Sequence, residues 1–133
     1  MRFVALLLLL LGEYEQGWEE YAWRLRRGSK ATGLPHAMPA SEIWRGDSAG
    51  KSGKLLLICE QGLGDTLRHL RWLGPLQAQR GPEAPLVLEL EPCLVPLFRQ
   101  ALPSHLWSLE IRAKPDGPAP PWPHRHISLL SLP

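Results

Sequence analysis

The sequence predicts an α/β chain, a helical hairpin followed by a partial parallel sheet, and three observations predict it. Leu55-Leu56-Leu57-Ile58-Cys59 is an apolar run that stops at the two-glycine turn Glu60-Gln61-Gly62-Leu63-Gly64-Asp65. Leu86 to Leu90 is a second short apolar run, and a helix-length segment separates the two. Ahead of both, Tyr14, Trp18, Tyr21 and Leu25 recur at i, i+4, i+7 and i+11, the apolar stripe of a helix. Short strands alternating with helices imply a parallel sheet with right-handed crossovers.

The elements follow in order. Phe3 to Leu11 reads as one helix, Gly12 as a break, and Glu13 to Arg27 as a second helix with Gly28 as its C-cap. Glu13, Glu15, Glu19 and Glu20 crowd the start of that helix and Arg24, Arg26 and Arg27 its end, which complements the helix dipole. Residues 29–53 are mixed Gly, Pro, Ser and Ala, a linker whose strong hydrophobic anchor is Ile43-Trp44. From there the domain 54–133 begins. Lys54 to Cys59 is the first strand, and Thr66 to Leu73 a helix that Pro75 should kink or interrupt. Leu86 to Leu90 is the second strand and Cys93 to Leu102 a short helix with Pro96 in its first turn. Leu106 to Ile111 is a third strand, Lys114 to Pro123 a proline-rich loop, and Ile127 to Leu130 a fourth strand.

Composition narrows the function classes. With 44% hydrophobic and 21% charged residues the chain can build a core. A net charge of +2 is too small to argue for nucleic acid or an anionic membrane surface. Two cysteines make no disulfide framework, so a reduced, cytoplasmic setting fits best, with Cys59 a small buried thiol. Arg2 and the apolar start imitate a secretory leader. Gly12-Glu13-Tyr14-Glu15 follows, however, without a small-x-small cleavage site. The run is also far short of the roughly 20 residues that span a bilayer, so a packed helix and no membrane span are expected.

Two nucleotide motifs are near misses. Gly46-Asp47-Ser48-Ala49-Gly50-Lys51-Ser52 has one residue too few between its glycines for a P-loop and precedes the strand instead of following it. Gly62-x-Gly64 opens a dinucleotide fingerprint, but Leu67 stands where the third glycine would allow close helix–strand packing. Glu89 or Glu91 could imitate its ribose-binding acid, so dinucleotide binding stays a minority reading. The five histidines make no metal site: His124-x-His126 lacks a third ligand at suitable spacing, and of the two remaining readings, exposure of this tail or an acceptor-side role, exposure is expected. Arg68-His69-Leu70-Arg71 reads as a solvated basic face, and the six tryptophans as core and docking contacts.

The Glu60 to Asp65 loop carries the chemistry. A strand, a glycine turn and a helix start form the usual ligand corner of an open α/β sheet, because ligands collect at the carboxyl ends of the strands. Asp65 is either the N-cap of the helix or a general base that takes a proton from a substrate hydroxyl, and local sequence leaves these even.

A resemblance favours the second reading. Gly12-x-Tyr14-x-x-Gly17-x-x-x-Tyr21 resembles the turn and second helix of a tetratricopeptide repeat. Together with Tyr21-x-Trp23-Arg24, Trp44-x-Gly46, the Glu60–Asp65 loop and the ending Ser128-Leu129-Leu130-Ser131-Leu132-Pro133, it resembles bacterial tetratricopeptide-repeat proteins with a glycosyltransferase-like region. These are related to O-linked N-acetylglucosamine transferases and heptosyltransferases. The resemblance implies residues 1–28 as a repeat-like hairpin and 54–133 as the acceptor-side, Rossmann-like half of a GT-B fold. It also implies that the chain is a fragment that stops before the donor-binding half and is inactive alone. Asp65 would be the base, Gly62 and Gly64 would shape the loop, and Glu60 and Gln61 would bond the acceptor or hold the turn. A nucleotide-sugar donor is implied for the full-length protein, with a sugar or protein hydroxyl as acceptor. No further cofactor is implied, and the repeat helices would be open to protein partners. The alternative is a non-catalytic interaction module.

Overall fold

The computed structural model describes residues 2–24, 43–46, 53–60, 62–82, 84–102, 108–117 and 125–132. The chain divides into two compact units, Met1–Leu34 and Pro35–Pro133. The boundary falls inside the stretch that reads as linker, whose anchor Ile43-Trp44 belongs to the second unit.

In the first unit α1 (Arg2–Leu10) and α2 (Tyr14–Ala22) pack as a hairpin. Gly12 turns the chain at φ +85, a left-handed conformation that glycine adopts freely. The Gly12 N–H donates to the Leu9 carbonyl (3.3 Å) and the Glu13 N–H to that of Leu8 (2.9 Å), the paired bonds that close a helix C-terminus. Gly17 is the buried residue of α2. A Cβ there would lie 2.7 Å from Leu9 Cδ2 and 3.1 Å from the Leu9 backbone nitrogen, so glycine permits the close approach. The expected aromatic stripe does not form this contact. Tyr14 is 63% exposed, Trp18 stands edge-on to Tyr21 at 5.7 Å, and the Arg24 guanidinium lies over the Tyr21 ring. Leu25 and Gly28 lie outside the described residues.

The second unit is built on a four-stranded, all-parallel sheet: β1 (Leu55–Ile58), β2 (Leu86–Leu90), β3 (Leu109–Ala113) and β4 (Arg125–Ser128), in the order β3-β2-β1-β4. The two central strands are the two apolar runs, because a parallel strand buried on both faces has no solvated side to leave polar. All four residues of β1 and all five of β2 are buried. Each fully buried leucine or isoleucine contributes about 1.5–3 kcal/mol through removal of apolar surface from water. One face of the sheet (Leu55, Leu57, Cys59, Leu86, Leu88, Leu90, Ile127) joins Trp44 and the inward side chains of the connecting helices in one core. Trp44 thus docks as the sequence implies.

Between β1 and β2 the chain forms α3 (Leu63–His69), a 3-10 turn (Leu70–Trp72) and α4 (Leu73–Arg80). The helix expected at Thr66 starts three residues earlier and resumes beyond Leu73. The interruption falls one turn before Pro75, which has no N–H to donate to the Arg71 carbonyl and whose ring crowds it. Gln77 closes the far end, its Nε2 donating to the carbonyls of Gly81 (2.9 Å) and Ala84 (3.2 Å). After β2, a 3-10 turn (Pro92–Leu94) leads into α5 (Val95–Ala101), with Pro96 in its first turn.

The fourth strand begins at Arg125 and not Ile127, and Leu129–Ser131 is a 3-10 turn. His126 is 1% exposed, which overturns the expected exposure of this tail. Its strand lies between β1 and the Ile43–Trp44 segment: Ile43 bridges to His126, and the Trp44 N–H donates to the His126 carbonyl at 2.9 Å. His69 is likewise buried, so the basic segment around it is solvated only at Arg68 and Arg71. Gln61, residues 47–52, Trp107, Trp122 and His124 lie outside the described residues.

Candidate functional site

Strand order locates the site. From β1 the chain moves one way to β2 and β3, and β4 lies on the other side of β1. The direction reverses between β1 and β4, and in open α/β sheets ligands bind beyond the carboxyl ends of the strands at such a reversal. Glu60, Gly62 and Asp65 follow β1 directly, so the loop singled out in the sequence stands at this corner.

Glu60 is 1% exposed, and its Oε1 accepts a hydrogen bond from the Ser128 hydroxyl. Register explains the meeting. Ile58 pairs with Ser128, side chains alternate along a strand, and Glu60 is therefore a diagonal neighbour of Ser128 on the same face. The Ser128 Oγ also accepts from the Leu130 N–H (3.3 Å), capping the 3-10 turn, and that turn packs against α3.

The helix does not use Asp65 as its N-cap. Gly62, extended at φ −80 and ψ 163, is the N-cap and offers no side chain. Asp65 sits in the first turn, where a carboxylate complements the helix dipole without capping it. A Cβ on Gly62 would meet Asp65 Oδ2 at 3.8 Å, so the carboxylate reaches back over the loop. Asp65 is half-buried. Neither Gly62 nor Gly64 has a positive φ or a crowded Cβ position, so at both the side-chain-free backbone leaves open space beside the loop.

The other face of α3 is anchored. Thr66 and His69 are buried one turn apart. The Thr66 side chain bonds to the Cys59 thiol, and burial pushes that thiol up to about 12 despite this bond. His69 Nδ1 lies 2.8 Å from the Asp65 carbonyl, which can only accept, so Nδ1 carries the proton. Sequence reasoning singled out neither Thr66 nor Ser128; the threonine is legible only as a small polar residue inside an otherwise inward helix face.

Farther along the carboxyl edge, the two acids weighed as ribose ligands are engaged elsewhere. Glu89 Oε2 takes the Arg112 guanidinium at 2.8 Å across the β2–β3 register, and Glu91 Oε1 takes Lys114 Nζ at 2.6 Å. Among the described residues no cluster of His, Cys, Asp and Glu could hold a metal ion, and no helix is long and apolar enough to cross a membrane.

No family model matches the chain, and no solved structure matches it. Over 100 residues it is 34% identical to Protein FlbA of Caulobacter vibrioides, an alignment that covers 74% of this chain and 16% of that protein. The chain therefore spans about a sixth of the length of the relative it resembles.

Proposed function

We propose that the second unit is the acceptor-side half of a GT-B-type glycosyltransferase and that Asp65 is its general base. The half-buried Asp65 carboxylate beside the β1/β4 reversal carries this reading. Of the loop's two acids, Glu60 is committed to Ser128, whereas Asp65 reaches over open backbone at Gly62. In the reaction, an acceptor hydroxyl gives its proton to Asp65 as its oxygen attacks the anomeric carbon of a nucleotide sugar. The bond to the diphosphate breaks and the nucleoside diphosphate leaves. A second Rossmann-like half holds that donor, and the cytoplasm, where free Cys59 and Cys93 stay reduced, is the proposed setting.

Turnover of sugar nucleotides by the entire reading frame tests this. A base contributes about 10²–10⁴-fold, so Asp65→Asn should lower kcat by that factor with donor KM little changed. Turnover equal to the native enzyme sinks the assignment.

One observation favours a second reading, a protein-interaction module. The hairpin exposes Phe3, Leu10 and Leu11, each more than three-quarters accessible, and stacked helical repeats cover such faces with neighbours. Native-like solubility and loss of a partner on Leu10→Glu, with no sugar-nucleotide turnover, would select it. Dinucleotide binding receives no support from Glu89 and Glu91, whose carboxylates bind Arg112 and Lys114.

A further inference from the structure

We infer that Ser128 is a positioning residue: through buried Glu60 it clamps the loop after β1 to the end of β4 and so fixes where the Asp65 carboxylate stands. The inference rests on the reading of Asp65 as base. The clamp spans the strand-order reversal, and its two members are 68 residues apart in sequence. Both are buried, Ser128 at 0% and Glu60 at 1% exposure, so the bond is held without competition from water. Ser128 makes a second bond, from the Leu130 N–H, and the turn it caps packs on α3, the helix that bears Asp65. The loop is thereby held from two sides, by Glu60 at its start and by the 129–131 turn against its helix.

A rival account makes Ser128 only the cap of its own turn. The two differ at Glu60. If the clamp matters, removing the acceptor and leaving the serine in place must loosen the loop; if only the cap matters, it must not. The variants are Ser128→Ala, which loses both bonds, Ser128→Thr, which keeps the hydroxyl, Glu60→Gln, which keeps a carbonyl acceptor, and Glu60→Leu, which removes it.

The first measurement is amide exchange on this chain, read at Thr66, whose N–H donates to the Gly62 carbonyl at 3.2 Å, with Leu57 and Leu88 as strand controls. Ser128→Ala and Glu60→Leu should speed Thr66 exchange about tenfold over any change at the controls, and Ser128→Thr and Glu60→Gln should restore it. Unchanged Thr66 exchange in Glu60→Leu, or acceleration shared equally by Leu57 and Leu88, overturns the clamp. The second is turnover by the entire reading frame, where Ser128→Ala should lower kcat about tenfold at constant donor KM and Ser128→Thr should recover it. Undiminished kcat in Ser128→Ala overturns the positioning role. Failure of the base reading has a different mark: Asp65→Asn turns over normally although the exchange results hold.

Discussion

Alkaline solution should destabilise the sheet unit through one thiol. Cys59 follows β1 directly, is 1% exposed, and packs with Leu57, Leu88 and Leu90. Burial pushes it from 9.0 up to about 12, and the bond from Thr66 offsets only part of this. The folded chain therefore keeps a proton that the unfolded chain releases near 9.0, so stability is intact below that pH and falls as pH rises toward 12. At 1.36 kcal/mol per unit, two units above the unfolded value remove about 2.7 kcal/mol, a large share of the total for a small domain. Urea unfolding at steps from about pH 8 to pH 11, for the native chain and Cys59→Ala, isolates the effect. Lysines and tyrosines titrate in both chains and cancel, so the difference between the curves should narrow steadily above about pH 9 as the native chain loses its advantage. Parallel curves across that range would refute the argument, and so would ready labelling of Cys59 by a thiol reagent under conditions that label exposed Cys93.

Two further outcomes follow from packing and charge. Gly17→Ala should loosen the hairpin by about 1–3 kcal/mol, because the new methyl meets the Leu9 side chain and backbone, and this exceeds the propensity gain of about 1 kcal/mol; faster amide exchange within α2 but not in β1 checks it. Arg112→Met should cost on the order of 3 kcal/mol in a urea titration, because Glu89 is buried, whereas Lys54→Met, which loses a half-exposed pair with Glu110 at 3.6 Å, should cost under about 1 kcal/mol. The double change Glu89→Leu with Arg112→Met should recover most of the first loss.

Legibility in the sequence tracks where the information sits. β1 is readable as a continuous apolar run and β2 as one broken only at Glu89, because burial on both faces leaves few polar positions, and Trp44 because a lone large aromatic in a polar linker must dock somewhere. The Pro75 interruption is readable because it is local chemistry. β4 is readable only in part: a strand is expected from Ile127, but its start at Arg125 and its burial are not, because Arg125-His126-Ile127-Ser128 has no apolar run and is covered by β1 on one side and Ile43 on the other, both remote in sequence. The Asp65 loop is visible as a candidate, but its partner Ser128 becomes a neighbour only through the β1–β4 register. The helix boundary is hidden for a subtler reason: an aspartate three residues into a helix and one at its cap look alike without the backbone angles of Gly62.

That boundary changes what the loop's two carboxylates do. Had Asp65 been the cap, its oxygens would have been engaged by the first free N–H groups of α3, leaving Glu60 as the acid able to meet a ligand. With Gly62 as the cap, the assignment reverses. Glu60, continuing the strand's alternation, is carried onto the buried face and meets Ser128. Asp65, one turn-step around the helix, is left half-buried over the open backbone of Gly62. A group that must take a proton from an incoming hydroxyl needs access and a fixed position, and one residue cannot easily supply both. On the proposed reading of Asp65 as base, access belongs to Asp65 and fixation to Glu60 with Ser128. Exchanging the two acids, Glu60→Asp with Asp65→Glu, keeps the loop's charge but shortens the clamp and lengthens the base. It should therefore lower kcat at least about tenfold, and retention of full turnover would show that the division of roles is mistaken.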